Sequence, residues 1–235
     1  MNTPQKDFSF LGHLEELRVR LIKSLLVLTL TSFFSCVFAG ELLKLLIKPV
    51  GHLVFTSPSE AFLATFHVTL FSGVILAFPF ILYQFWAFAS EALRESERKY
   101  VRIFGPLSLI LFLSGIIFGY FVMVPISLNF LLSFSSASLV PMIRASEYLS
   151  FVGSFVLAFG VVFELPLILV FLAKIGIASP EFLRHNRRTA IVFIFIISAI
   201  LTPPDCASQL LMAVPLLVLY ELGILLSKMT YRPKL

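Results

Sequence analysis

The chain reads as long apolar runs separated by short polar, charge-bearing segments. Runs of about 20 apolar residues, enough for a helix to cross the hydrocarbon core, are predicted at about 21–38, 66–88, 103–124 and 149–173. Two shorter ones follow at about 189–201 and 209–226. The second run is interrupted by Pro79, the third closes on Pro125, the fourth contains Glu164, and the sixth carries Glu221 near its end. The runs are apolar on all sides, whereas strands of a membrane barrel alternate apolar and polar positions, so helices are the expected spans. The fifth is short: 13 residues at about 1.5 Å each reach only about 20 Å of a core about 30 Å thick. The pattern predicts an all-α polytopic membrane protein, a single transmembrane domain over 1–235 with six transmembrane helices. An amphipathic segment at 1–20 precedes it and a tail at 227–235 ends it. Several prolines within the spans predict a curved bundle with a concave face.

The polar segments fix an expected orientation. Fifteen of the eighteen Lys and Arg residues fall in the N-terminal segment, the loop between helices two and three, the loop between four and five, and the tail. The three intervening segments hold only Lys44, Lys48 and Arg144. The positive-inside rule then places both termini in the cytoplasm. Residues 40–64, 133–148 and 202–206 are expected on the outer side. Composition agrees: 59% of residues are hydrophobic and 13% charged, against about 25% charged in soluble domains. The net charge of +5 is gathered between apolar runs, which points to topology rather than to nucleic acid. Val37-Phe38-Ala39 has the look of a cleavage site, but the preceding segment is long and carries Asp7, Glu15 and Glu16; the first run is read as a retained helix.

Candidate chemistry is sparse. No zinc-protease, nucleophile-elbow or phosphate-loop motif occurs, so no enzyme, no metal and no cofactor is expected. Cys36 and Cys206 have no ligand spacing and read as buried thiols. His67 reads as a satisfied structural histidine. Glu164 is the sharpest residue: an ionised carboxylate at the bilayer centre costs about 2.5–3.5 kcal/mol or more. It is expected to line a wet cavity, find a partner or be protonated. In His13-Leu-Glu15-Glu16-Leu-Arg18-Val-Arg20, Glu16 and Arg20 stand four apart, an orientation that supports a helix.

Five segments together carry a resemblance. His13-Leu-Glu-Glu16-Leu-Arg18-Val-Arg20-Leu, Phe78-Pro-Phe-Ile-Leu-Tyr83-Gln84-Phe-Trp86-Ala-Phe88, Tyr120-Phe-Val-Met-Val-Pro125, Tyr148-Leu-Ser-Phe151 with Phe159-Gly-Val-Val-Phe-Glu164-Leu-Pro166, and Leu201-Thr-Pro-Pro-Asp205 with Ser208-Gln209 follow in this order over nearly the whole chain. The sequence resembles the TatC family, the multispanning subunits of the twin-arginine protein translocase. The resemblance implies a receptor for twin-arginine signal peptides of folded precursors in the cytoplasmic (inner) membrane, with export driven by the proton motive force. It implies single-span TatA/TatB-type subunits and other TatC copies as partners, beside the lipid bilayer. Residue by residue, it implies signal binding at Glu16, Arg18, Phe88 and Glu97, an intramembrane role for Glu164, an outer-loop role for Pro49, and partner docking at Thr202, Asp205 and Gln209. One departure stands out: the family's first loop usually reads Phe-x-x-Pro-Ala-Leu, and here Glu91 replaces the proline, removing a rigid turn and adding charge beside the presumed site. The residues alone also admit a different class, a secondary solute transporter with Glu164 as ion or proton site, although the internal repeats common in such proteins are not evident.

Overall fold

The computed structural model describes residues 10–91, 93, 95–135, 142–202 and 206–231, with side chains at all of these except 10, 11, 13, 95–97 and 207. Its helices are α1 (Phe10–Val37), α2 (Ala39–Ile47), α3 (Pro58–Glu91), α4 (Glu95–Phe118), α5 (Val124–Leu132), α6 (Ala145–Val162), α7 (Leu165–Lys174), α8 (Pro180–His185), α9 (Arg187–Leu201) and α10 (Cys206–Thr230). Among the described residues there is no strand, only an isolated bridge between Val54 and Arg144. Five helical stretches are long and apolar enough to cross a bilayer: Leu14–Val37, Pro58–Glu91, Arg98–Leu132, Ala145–Lys174 and Ser208–Thr230. The fifth predicted span corresponds to α9, whose 15 residues reach about 22 Å and fall short of the core thickness. The chain is an all-α multipass membrane protein.

Prolines shape the long helices without ending all of them. Pro79, Pro106 and Pro215 sit inside continuous α3, α4 and α10. Between α4 and α5 the helix widens into a π-turn over Gly119–Met123, where the Val124 N–H donates to Gly119 O. Pro125 has no N–H to give and crowds the carbonyl one turn back, and the wider turn relieves that conflict. Pro166, in the first turn of α7, does more. The regular helix stops at Val162 and restarts at Leu165, leaving Phe163 and Glu164 at a break inside one spanning stretch.

The α6–α7 stretch is the centre of the bundle. In its most apolar window 61% of residues are buried, against 6% for α1, which lies at the periphery. Phe155 and Phe159 of α6 are fully buried, and α6 packs on α3 and α4. Close approach is set by small residues, as expected where lipid supplies no hydrophobic drive between helices. A Cβ on Gly73 would lie 2.2 Å from Ser32 Oγ of α1. At the same crossing Thr31 Oγ1 donates to Gly73 O at 2.8 Å. A Cβ on Gly115 of α4 would lie 2.4 Å from Phe159 O.

The contacts sort the helix ends into two sets. At one end, Arg20 of α1 meets Glu91 of α3 at 2.8 Å. Trp86 packs edge-on against Phe171 of α7 with ring centres 5.0 Å apart, and Lys174 lies 4.5 Å from the Tyr100 ring centre. Tyr220 of α10 donates to Leu183 O of α8 at 2.8 Å. The start of α1 and the end of α10 therefore lie at the same end of the bundle. At the other end, Tyr120 and Tyr148 donate to Leu45 O and Leu46 O of α2, pinning that short helix across the bundle.

Both cysteines are free and exposed, which corrects the expectation of buried thiols. Phe33, Phe34 and Val37, the apolar neighbours of Cys36 in sequence, are exposed as well.

Candidate functional site

At the end that holds the start of α1, a polar cluster joins α1 to the last turns of α3. The helical spacing of Glu16 and Arg20 lets Arg20 Nε donate to Glu16 Oε1 at 2.6 Å. The same guanidinium reaches across to α3: its NH1 donates to Gln84 Oε1 at 3.1 Å and its NH2 to Glu91 Oε1 at 2.8 Å. Its NH2 also pairs with Glu16 Oε1. Gln84 is 8% exposed, whereas the Arg20, Glu16 and Glu91 side chains keep 19%, 20% and 33% of their surface. One guanidinium thus meets two carboxylates and an amide in a half-buried setting, where charge-assisted hydrogen bonds are stronger than exposed surface pairs.

Of the residues expected to bind signal, Glu16 lies in this cluster. Arg18 is exposed on α1 and makes no ion pair with a described residue. Phe88 is half-buried on α3, one turn before Glu91. Glu97 lies in the first turn of α4, and its side chain is outside the described residues. Sequence reading left Gln84 without a role and took Glu91 only as a departure beside the site; the period of the helix, which sets Gln84 and Glu91 two turns apart on α3, was the available signal.

Glu164 sits at the break between α6 and α7, 5% exposed, with Oε1 lacking any hydrogen-bond partner among the described residues. A concave apolar cavity of about 750 Å³ opens beside it, lined among others by Phe78, Val161, Leu165, Phe193 and Ile197. Glu164 is not among its lining residues. Its side chain is enclosed at the break between α6 and α7.

At the opposite end, Pro49 is exposed in the turn after α2. Thr202 closes α9, 7% exposed, with Oγ1 donating to Ser198 O at 2.8 Å. Gln209 Nε2 donates to Phe195 O at 3.1 Å, tying α10 to α9. Asp205 lies outside the described residues. Thr202 also lines a pocket of about 560 Å³ with Leu63, His67, Ser146, Ser150 and Phe151. His67 Nδ1 is buried without a hydrogen-bond partner among the described residues, contrary to the satisfied histidine expected. Sequence reading also missed Glu60, 2% exposed. It accepts from Thr56 N, Thr56 Oγ1 and Ser146 Oγ at 2.8, 2.9 and 3.0 Å, with Arg144 Nε at 3.5 Å. The Ser57-Pro58-Ser59-Glu60 spacing, a capping-box pattern with proline in the first turn, was a signal for it.

Comparison with known proteins agrees with this architecture. A family model described as Sec-independent protein translocase protein (TatC) matches residues 12–215. The TatC protein of Carboxydothermus hydrogenoformans is 41% identical over 228 residues, covering 95% of this chain and 94% of the relative. The TatCd protein of Bacillus subtilis is 35% identical over 232 residues, covering 98% and 96%. A crystal structure described as the twin arginine translocase receptor TatC is similar with a TM-score of 0.86 and 38% identity, covering 94% of this chain and all of that one. The chain belongs to the TatC family of Sec-independent protein translocase proteins.

Proposed function

We propose that this protein is the signal-peptide receptor and core subunit of a twin-arginine translocase, exporting folded precursors across the cytoplasmic (inner) membrane with the proton motive force. Both termini are cytoplasmic, and Glu16, Arg18, Phe88 and Glu97 form the signal-binding face. The observation that carries this reading is the cluster at the start of α1, where Glu16 already accepts a guanidinium from Arg20 in a half-buried position. Two adjacent arginines need carboxylates able to accept planar, forked donors, and fifteen of the eighteen basic residues lie in the segments read as cytoplasmic. Glutamates there create local acceptors in an otherwise basic face. Thr202, Asp205 and Gln209 mark the docking edge for single-span TatA/TatB-type subunits, Pro49 acts in the outer loop, and further copies of the chain complete the complex. The burial of Glu164 outside the apolar cavity gives no support to a solute path through it.

The test is site-specific crosslinking. A photoreactive residue at Phe88 should capture a precursor bearing a twin-arginine signal, and a twin-lysine precursor should be captured far less. Equal capture of both precursors would remove the reading.

A further inference from the structure

Glu91 closes α3, and the structure shows what it brings to Arg20. With Glu16 alone, Arg20 would form a one-to-one pair on a single helix, and the neighbouring amide of Gln84 would complete it. Glu91 adds a second carboxylate to the same guanidinium nitrogen: Arg20 NH2 contacts Oε1 of both Glu16 and Glu91. Two negative charges then face one positive charge, and like charges this close repel unless a further cation stands nearby. The site is shaped for a guanidinium, because it holds one. Its floor is the buried Gln84 amide, aimed at Arg20 NH1 at 3.1 Å, and its rim is open, with a third of the Glu91 side chain exposed.

We propose that Glu91 is a positioning residue for arginine recognition in this chain: with Gln84 it gives Arg20 acceptors on α3 and adds a second carboxylate to the cluster, so that a signal-peptide arginine can share Glu16 with Arg20 or take its place. This rests on the reading of Glu16 as a signal-binding residue. The incoming guanidinium forms hydrogen bonds at the rim while Arg20 stays held by Glu91 and Gln84. The added charge strengthens binding mainly through Coulomb attraction, so its effect is screened by salt.

The experiment measures binding of two synthetic peptides, one with a twin-arginine pair before an apolar stretch and one with twin lysines, to the full chain in detergent over a range of salt. Glu91→Gln keeps an acceptor for Arg20 and removes the charge. It should weaken twin-arginine binding by about threefold to tenfold at low salt and flatten the salt dependence, with the thermal unfolding midpoint unchanged. Glu91→Asp should restore binding and the salt slope. If Glu91→Gln binds like the unaltered chain at every salt concentration while Glu16→Ala weakens binding, Glu91 merely clasps α3 to α1 and the proposal is wrong. A lowered unfolding midpoint with equal loss for both peptides points to the same clasp and overturns it too. If Glu16→Ala also has no effect, the signal-binding reading itself fails, and the inference falls with it.

Discussion

Burial and partners set Glu60, Glu164 and Glu16 apart. Glu60 is 2% exposed and fully engaged by Thr56 and Ser146, so it holds the loop before α3 against the start of α6. Glu164 is nearly as buried, at 5%, yet its Oε1 has no partner among the described residues. A polar atom kept unpaired costs about 1–3 kcal/mol, so Glu164→Gln, close in shape and neutral, should insert and unfold at the unchanged temperature. Signal-peptide affinity should stay within about twofold, less than the 1.4 kcal/mol that makes a tenfold difference, while transport falls. Transport at the unaltered rate in membrane vesicles would make the acid structural. Glu16 is half-buried and charge-paired. Hydrogen bonds to charged groups contribute about 1.5–3 kcal/mol, so Glu16→Ala or Glu97→Ala should weaken twin-arginine binding about tenfold or more. The fold should survive Glu16→Ala, because Arg20 keeps Gln84 and Glu91 as acceptors. Unchanged affinity and unchanged preference for arginine over lysine in both variants would leave these residues as ordinary ion-pair partners.

At the scale of elements, packing rests on a few close crossings. Gly73 touches Ser32 across α1 and α3, and side chains forced into such contacts cost about 1–3 kcal/mol. Gly73→Val should therefore lower the unfolding midpoint in detergent, and a smaller loss should follow Gly105→Val, where nothing lies within 4 Å of an added Cβ. Equal losses at both sites would show that helix propensity, not the crossing, sets the effect. The spans themselves were legible from sequence because lipid demands long, wholly apolar helices, and α3, α4 and α10 lie over runs that hydropathy alone marks. The surroundings of Cys36 and Cys206 were not, because apolar neighbours along the chain do not tell core from lipid. The local spacing at Ser57–Glu60 could have marked Glu60, but its pairing with Ser146 was hidden: it joins residues 86 positions apart, and no local pattern reports such a pairing. The site was legible where one helix carries it, as with Glu16 and Arg20, and illegible where Gln84 enters from another. The shortness of α9 survives in the structure, and a helix too short for the bilayer thins it or seeks partners. Photocrosslinkers along α9 and the start of α10 should capture a single-span subunit; capture elsewhere with none here would remove the docking edge.

For the whole molecule, the contacts that join α1 to α3, α4 to α7 and α8 to α10 place the start of α1 and the end of α10 on one side of the bundle. They do not say which side of the membrane that is; charge does. Among the described residues, the end with the start of α1 and the end of α10 carries Arg18, Arg20, Lys174 and Lys228, and the other end holds Lys44, Lys48 and Arg144. Lys44 pairs with Glu41, and Arg144 with Glu147 and Glu60, so even these few are largely neutralised. Positive charge is retained in the cytoplasm during insertion, and the termini should face it. A membrane-impermeant maleimide applied to intact cells tests this in a Cys36→Ala, Cys206→Ala background, needed because both native thiols are exposed. Ser59→Cys, exposed at the start of α3, should label from outside. So should Arg144→Cys, with the risk that it loosens Glu60, which is why Ser59 is the cleaner probe. Lys228→Cys, exposed at the end of α10, should label only after the cells are opened. The reverse pattern, with position 228 labelled in intact cells and position 59 protected, would invert the molecule and place the Glu16 cluster on the face a precursor has yet to reach.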